Sequence, residues 1–92
     1  MFYEMVDLLE RAIKELSPDT SRFKVLLYLS FKGPSLPGQI AEETEIPSGT
    51  VRPALRFLLE KRFVTQQRDG AYRSKISFTD IISDLYTRQE KK

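Results

Sequence analysis

The stretch SGTVRPALRFLLEKRFVTQQRDGAYRSKIS, residues 48–77, is the most informative part of the chain, because a helical pattern there runs directly into a hairpin pattern. Apolar residues first recur at three- and four-residue steps, which is typical of a helix with one buried side. Asp69-Gly70 then separates two β-compatible runs, and this dipeptide favours a tight hairpin turn. The stretch carries seven basic and two acidic residues, net +5, whereas the rest of the chain has net −3. An overall charge of only +2 therefore conceals one cationic region.

Within this stretch, Ser48 is a good N-cap residue for the helix, and we expect its apolar positions to be buried. These positions are Val51, Leu55, Leu58 and Leu59. In the hairpin, predicted over 63–78, a two-residue loop at Asp69-Gly70 would pair Gln66 with Arg73 and turn the basic side chains outward.

The flanking sequence predicts four more helices. Apolar spacing indicates helices over 2–16 and 21–31, the second capped by Asp19, Thr20 or Ser21. Pro37 suits the first position of a short third helix that ends near Thr44. Thr79 is the predicted cap of a last helix, over 79–90. The fold class that follows is mainly α with a β-hairpin (α+β): a single domain of five helices and two strands over residues 1–92.

Composition excludes several classes of function. Ninety-two residues suit one small domain. The chain has no cysteine and no histidine, so the usual zinc ligands and the usual base at neutral pH are missing. We therefore expect no enzyme activity, no metal and no cofactor. The absence of a long apolar run, and an N-terminus rich in acidic residues, predict a cytoplasmic protein without a membrane partner.

The segment GQIAEETEIPSGTVRPALRFLLEKRFVTQQRDGAYRSKISFT resembles the winged helix-turn-helix domains of small prokaryotic and archaeal regulators of the MarR, ArsR and TrmB-like kinds. As in that family, Ala41 stands at the small inward position of the first helix, Ile46 follows the turn, and Val51 and Leu55 lie in the second helix. The resemblance implies a helix-turn-helix over 37–61, a wing over 63–78, and sequence-specific binding of double-stranded DNA by a homodimeric transcription regulator. Two residues depart from the pattern: Glu45, where the family often has glycine, and Pro53 inside the second helix.

If the resemblance holds, the start of the second helix reads bases, and the remaining cations hold phosphates. The candidate DNA-binding residues are Ser48, Gly49, Thr50, Arg52, Arg56, Lys61, Arg68, Arg73 and Lys75. The alternative is that the arginines form an ordinary solvated face, with Arg56 paired to Glu60 four residues on.

The two terminal helices have more apolar surface than short neighbours would cover, and the resemblance implies that they form a dimer interface. Its candidate residues are Phe2, Met5, Val6, Leu9, Ile13, Ile81, Ile82, Leu85 and Tyr86. Two alternatives remain open. Both helices pack on the core of a monomer, or the apolar surface binds another protein, as in winged-helix accessory subunits of replication or transcription assemblies.

Overall fold

The structure is a computed structural model that describes residues 12, 16 and 20–90, with the side chains of 88–90 excepted. Its elements are α1 (Ser21–Lys32), α2 (Pro37–Thr44), α3 (Ser48–Glu60), β1 (Val64–Gln66), β2 (Tyr72–Ser74) and α4 (Phe78–Glu90). The mainly helical class with an antiparallel hairpin is confirmed. The described part has four helices rather than the five predicted, and the first predicted helix, 2–16, lies outside it except for Ala12 and Leu16, both buried.

Sequence signals placed the starts of α1 and α2 correctly. The Thr20 hydroxyl accepts a hydrogen bond of 3.2 Å from the Phe23 amide, which is the expected capping contact. Pro37 occupies the first position of α2, where its missing N–H costs nothing. The predicted cap of α3 is wrong, because Pro47 precedes the helix and Ser48 already lies within it without a capping bond.

Glu45, between α2 and α3, adopts the left-handed conformation with φ 62° and ψ 14°. This is the conformation that a glycine would take with less strain. The turn therefore contains a left-handed residue although the side chain is a glutamate. The Thr44 hydroxyl supports the turn, because it donates to the Ile40 carbonyl at 2.6 Å and accepts from the Ile46 amide at 3.2 Å.

A second left-handed residue ends α3. Arg62, with φ 66°, donates its amide to the Leu59 carbonyl at 3.1 Å, and the next amide, of Phe63, reaches the Leu58 carbonyl at 2.9 Å. This pair of bonds is the Schellman motif, which normally uses glycine. The motif turns the chain sharply enough that the Phe63 side chain enters the core, where it is fully buried.

The hairpin has a three-residue loop, so the predicted two-residue loop and its pairing are wrong. Gln67 donates to the Ala71 carbonyl at 2.7 Å and accepts from the Gly70 amide at 3.0 Å. Thr65 therefore pairs with Arg73, one position away from the predicted register. A two-residue turn at Asp-Gly needs positive φ at both residues, but only Gly70 has it, at 92°. The Asp69 carboxylate instead accepts from the Ala71 amide at 3.0 Å.

The hairpin is attached to the helices on both of its sides. Tyr72 exchanges two backbone hydrogen bonds with Ser35, of 2.8 and 3.0 Å, so β2 lies between Ser35 and β1. The α4 helix begins at Phe78, and its cap is Ser77 rather than the predicted Thr79, since the Ser77 hydroxyl accepts from the Asp80 amide at 3.1 Å. A single apolar core packs between these elements. Its largest fully buried side chains are Leu16, Leu26, Leu29, Ile40, Leu55, Leu58, Phe63 and Ile81.

Candidate nucleic-acid interface

The α3 helix presents one continuous exposed face. Successive residues of a helix are about 100° apart, so Gly49, Arg52, Pro53 and Arg56 fall within about 100° of one another. All four are exposed, as are Ser48 and Thr50. The opposite face is buried, and it consists of Val51, Ala54, Leu55 and Leu58. The predicted base-reading residues of α3 therefore do lie on its surface.

Pro53 lies inside α3 without ending it, since the helix continues to Glu60. Proline has no N–H, so the Gly49 carbonyl, four residues earlier, lacks its usual donor. Gly49 and Pro53 are both exposed, and water reaches this position. A solvated carbonyl costs much less free energy than a buried one without a partner, which explains why the helix tolerates the proline.

Arg52 and Arg56 line a groove together with Tyr72 of β2 and Pro37 of α2. Leu55 and Leu59 also line this groove. Neither guanidinium makes a hydrogen bond or an ion pair within the part of the chain that the structure describes. The alternative in which Arg56 pairs with Glu60 is therefore not seen. Two adjacent uncompensated cations attract an anionic partner.

The other flank of α3 lies against the start of α1. Thr50 and Pro53 border a depression that also includes Arg22. The Arg22 guanidinium lies 3.9 Å from the centre of the Phe57 ring, and the Lys61 ammonium lies 5.7 Å from the same centre. Lys61 is therefore beside Phe57, on the flank away from the groove of Arg52. Arg22 carries no signal for this position in the sequence, because only the packing of α1 on α3 brings it to this flank.

The three predicted contacts of the hairpin separate into two groups. Arg68 is exposed in the loop. Arg73 and Lys75 are exposed as well, but they border a depression with the end of α1, around Gly33. Side chains alternate along a strand, so Arg73 lies on the opposite face of β2 from Tyr72, and Lys75 follows the end of the strand. The structure thus does not bring Arg73 or Lys75 into the groove of the α3 arginines.

No protein-family model, curated protein or solved structure matches this chain. Among residues 20–90, no helix has the length and apolar character needed to cross a bilayer. The same residues contain no group of three or more acidic side chains placed to hold a metal ion.

The predicted dimer residues of the last helix do not share one environment. Ile81 is only 2% exposed and belongs to the core, and Leu85 packs against that core. Ile82 and Tyr86 are 41% and 64% exposed. Phe31 of α1, 65% exposed, extends this apolar surface, because its ring lies 5.1 Å from that of Phe78. The remaining predicted residues, Phe2, Met5, Val6, Leu9 and Ile13, lie outside the described part.

Glu43 of α2 lies close to two residues of α1, Tyr28 and Lys32. The Tyr28 hydroxyl is buried and has no partner in full hydrogen-bond geometry among the described residues. Burial is the main cause that raises the pKa of Tyr28, and the nearby Glu43 carboxylate adds to it. The same hydroxyl is the largest influence that lowers the pKa of Glu43, whose carboxylate also lies 3.4 Å from the Lys32 ammonium. These groups stabilise the helix pair, on a part of the surface distinct from the exposed face of α3.

Proposed function

We propose that this protein is a winged-helix protein that binds double-stranded DNA sequence-specifically and regulates transcription as a homodimer. In this proposal α3 is the recognition helix and the hairpin is the wing. The order of the elements supports it: α2, a turn and α3 are followed at once by a short hairpin that pairs back onto Ser35, before α2.

One observation carries the proposal, namely the two uncompensated arginines on the exposed face of α3. A helix of this width fits the major groove, about 12 Å wide, and places its side chains against base edges. Arginine donates paired hydrogen bonds to guanine, each pair being worth about 1–3 kcal/mol of discrimination against a wrong base. Arg52 and Arg56 are one turn apart, so both can address the same groove.

The test of DNA binding is titration of labelled duplexes at low salt, followed by selection of bound sequences from a random duplex pool. The double variant Arg52→Ala, Arg56→Ala is expected to lose binding. Its matched control is Lys24→Ala, Lys32→Ala, which removes two positive charges from α1 and should bind almost normally. A wild-type protein that binds no duplex at low salt would refute the proposal. Equal losses in the two double variants would refute the role of α3.

The homodimer is supported by the exposed apolar side chains Phe31, Ile82 and Tyr86, which are large enough to form the centre of an interface. Twofold symmetry would place two copies of α3 about one DNA turn apart on a palindromic site. Sedimentation analysis of the wild type and of Ile82→Ser, Tyr86→Ser tests this point. We expect a dimer for the wild type and a monomer for the variant, with the variant folded because both side chains are exposed.

The same apolar surface supports a second function, that of a winged-helix accessory subunit that binds another protein within a nucleic-acid-processing assembly. Fold alone does not decide between the two, because function depends on the surface residues. A monomer without affinity for duplex DNA that forms a stoichiometric complex with one protein partner would favour this second function. Loss of that complex in Ile82→Ser, Tyr86→Ser would locate the contact.

A further inference from the structure

The exposed face of α3 has a different neighbour on each side. On the side of Leu59, the groove of Arg52 and Arg56 is bordered by Tyr72 of the hairpin. On the other side, Pro53 and Thr50 border the depression formed with the start of α1. The start of α1 and the hairpin therefore flank α3 from opposite sides.

Arg22 is the charged side chain of the α1 flank, and it contacts an aromatic ring of α3. Its guanidinium lies 3.9 Å from the centre of the Phe57 ring, within the range of a cation–π contact. A guanidinium that stacks on a ring uses its face, so the N–H donors around its edge stay available. Arg22 is exposed, and it is in no ion pair within residues 20–90. A planar donor held in place at an exposed position is well suited to bind a phosphate.

A helix in the major groove has a phosphate backbone on each side, because the two strands form the walls of the groove. We propose that Arg22 binds the phosphate backbone on the flank of α3 away from the hairpin, with the hydroxyls of Ser21 and Thr50 beside it in the same depression. This inference rests on the proposed function, since it requires α3 to enter the groove. It adds a contact that carries no sequence information, because phosphates are common to all sequences.

The variant Arg22→Gln tests the contact, because it keeps a polar side chain and removes the charge. Affinity for the selected duplex is measured over a series of salt concentrations and plotted as log K against log salt. We expect the slope to become shallower by about 1, the change for one lost phosphate contact, with all duplexes weakened by the same factor. Arg22→Lys retains the charge and should keep the wild-type slope.

Lys24→Gln is the matched control. Lys24 lies on the same helix and is also exposed, but it borders a different depression, with Leu27 and Phe31. This variant should keep both the slope and the affinity of the wild type. Thermal unfolding of each variant is recorded beside the titrations. Arg22→Lys changes the contact with Phe57 but keeps the positive charge, so it separates an effect of lost charge from an effect of lost folding.

The outcomes distinguish this inference from the proposed function. If Arg22→Gln keeps the slope and affinity of Lys24→Gln while Arg52→Ala, Arg56→Ala abolishes binding, α3 binds DNA and the Arg22 contact is refuted. A change in the ranking of duplexes by Arg22→Gln would also refute a phosphate contact. If the wild type binds no duplex at any salt concentration, the proposed function fails and the Arg22 contact fails with it.

Discussion

Two prolines at different helical positions should affect stability in opposite directions. Pro53 is the sixth residue of α3, where proline removes a hydrogen bond and crowds the carbonyl four residues earlier. Pro37 is the first residue of α2, where neither penalty applies. We predict that Pro53→Ala increases the free energy of unfolding and that Pro37→Ala decreases it.

The magnitudes follow from the surroundings of each proline. An interior proline costs about 3 kcal/mol relative to alanine. Gly49 is exposed, so water partly satisfies its free carbonyl, and the gain from Pro53→Ala should be about 1–3 kcal/mol. Pro37→Ala increases the conformational entropy of the unfolded chain and should lower the free energy of unfolding by about 0.4–1 kcal/mol. Loss of the contacts of the proline ring beside the groove of Arg52 should lower it slightly further.

Urea denaturation of the wild type and both variants measures these changes, provided that the m-value stays constant. For a domain of this size 1 kcal/mol corresponds to about 4–8 °C in Tm, so the two variants should move Tm in opposite directions by amounts that calorimetry resolves. A Pro53→Ala protein no more stable than the wild type would refute the account, because it would mean that α3 gains nothing from the restored bond. If both variants changed the free energy of unfolding by the same amount and in the same direction, the position of a proline within its helix would have no effect on stability.

Three further predictions concern local strain, the core and acid stability. Glycine adopts the left-handed conformation with less strain, so Glu45→Gly and Arg62→Gly should each raise the free energy of unfolding by up to about 1 kcal/mol. A variant that urea unfolds more easily than the wild type would contradict the positive φ at that residue. Phe63→Ala should cost about 3–5 kcal/mol because the ring is fully buried, and a loss below about 1 kcal/mol in the same assay would place Phe63 outside the core. The pKa of Glu43 is lowered chiefly by the Tyr28 hydroxyl, so its contribution to stability is present above the ordinary value of 4.5 and disappears as the pH falls through the lowered pKa. Glu43→Gln should therefore make the acid branch of the stability curve shallower, and an unchanged branch would contradict this.

Local rules were enough to predict most helix boundaries. The α1 helix runs over Ser21–Lys32 against a prediction of 21–31, because Thr20 and Gly33 act within one turn of the helix that they cap. The first position of α2 was equally readable from Pro37. In α3, the exposed positions of Arg52 and Arg56 followed directly from the spacing of apolar residues. Helical periodicity and capping depend on residues that are close together in the chain, so they can be predicted from a single sequence.

The predictions are wrong where two local conformations have similar free energies, or where residues far apart in the sequence come into contact. Asp-Gly is compatible with loops of two or three residues, and the choice depends on the φ of Asp69, which the sequence does not specify. Arg62 occupies a left-handed position that is typical of glycine, and its neighbours in the sequence do not predict this conformation. The burial of the next side chain, Phe63, offsets the strain, and that burial depends on the tertiary structure. The stacking of Arg22 on Phe57 joins two helices and appears only after they pack.

The cationic stretch 48–77 proves to be spread over several surfaces, and this affects how the proposed interface would work. Arg73 and Lys75 border a different depression from the groove of Arg52 and Arg56, so the net charge of +5 does not form a single patch. The rest of the chain is net negative, so its acidic surfaces, unlike the Arg22 flank beside α3, should be held away from DNA by repulsion. Because its overall charge is small, the protein should bind DNA only weakly in arbitrary orientations. The local charges on and beside α3 would then favour the orientation in which that helix enters the groove. The salt dependence of binding should consequently reflect a few contacts around α3, not the total number of cations in the stretch.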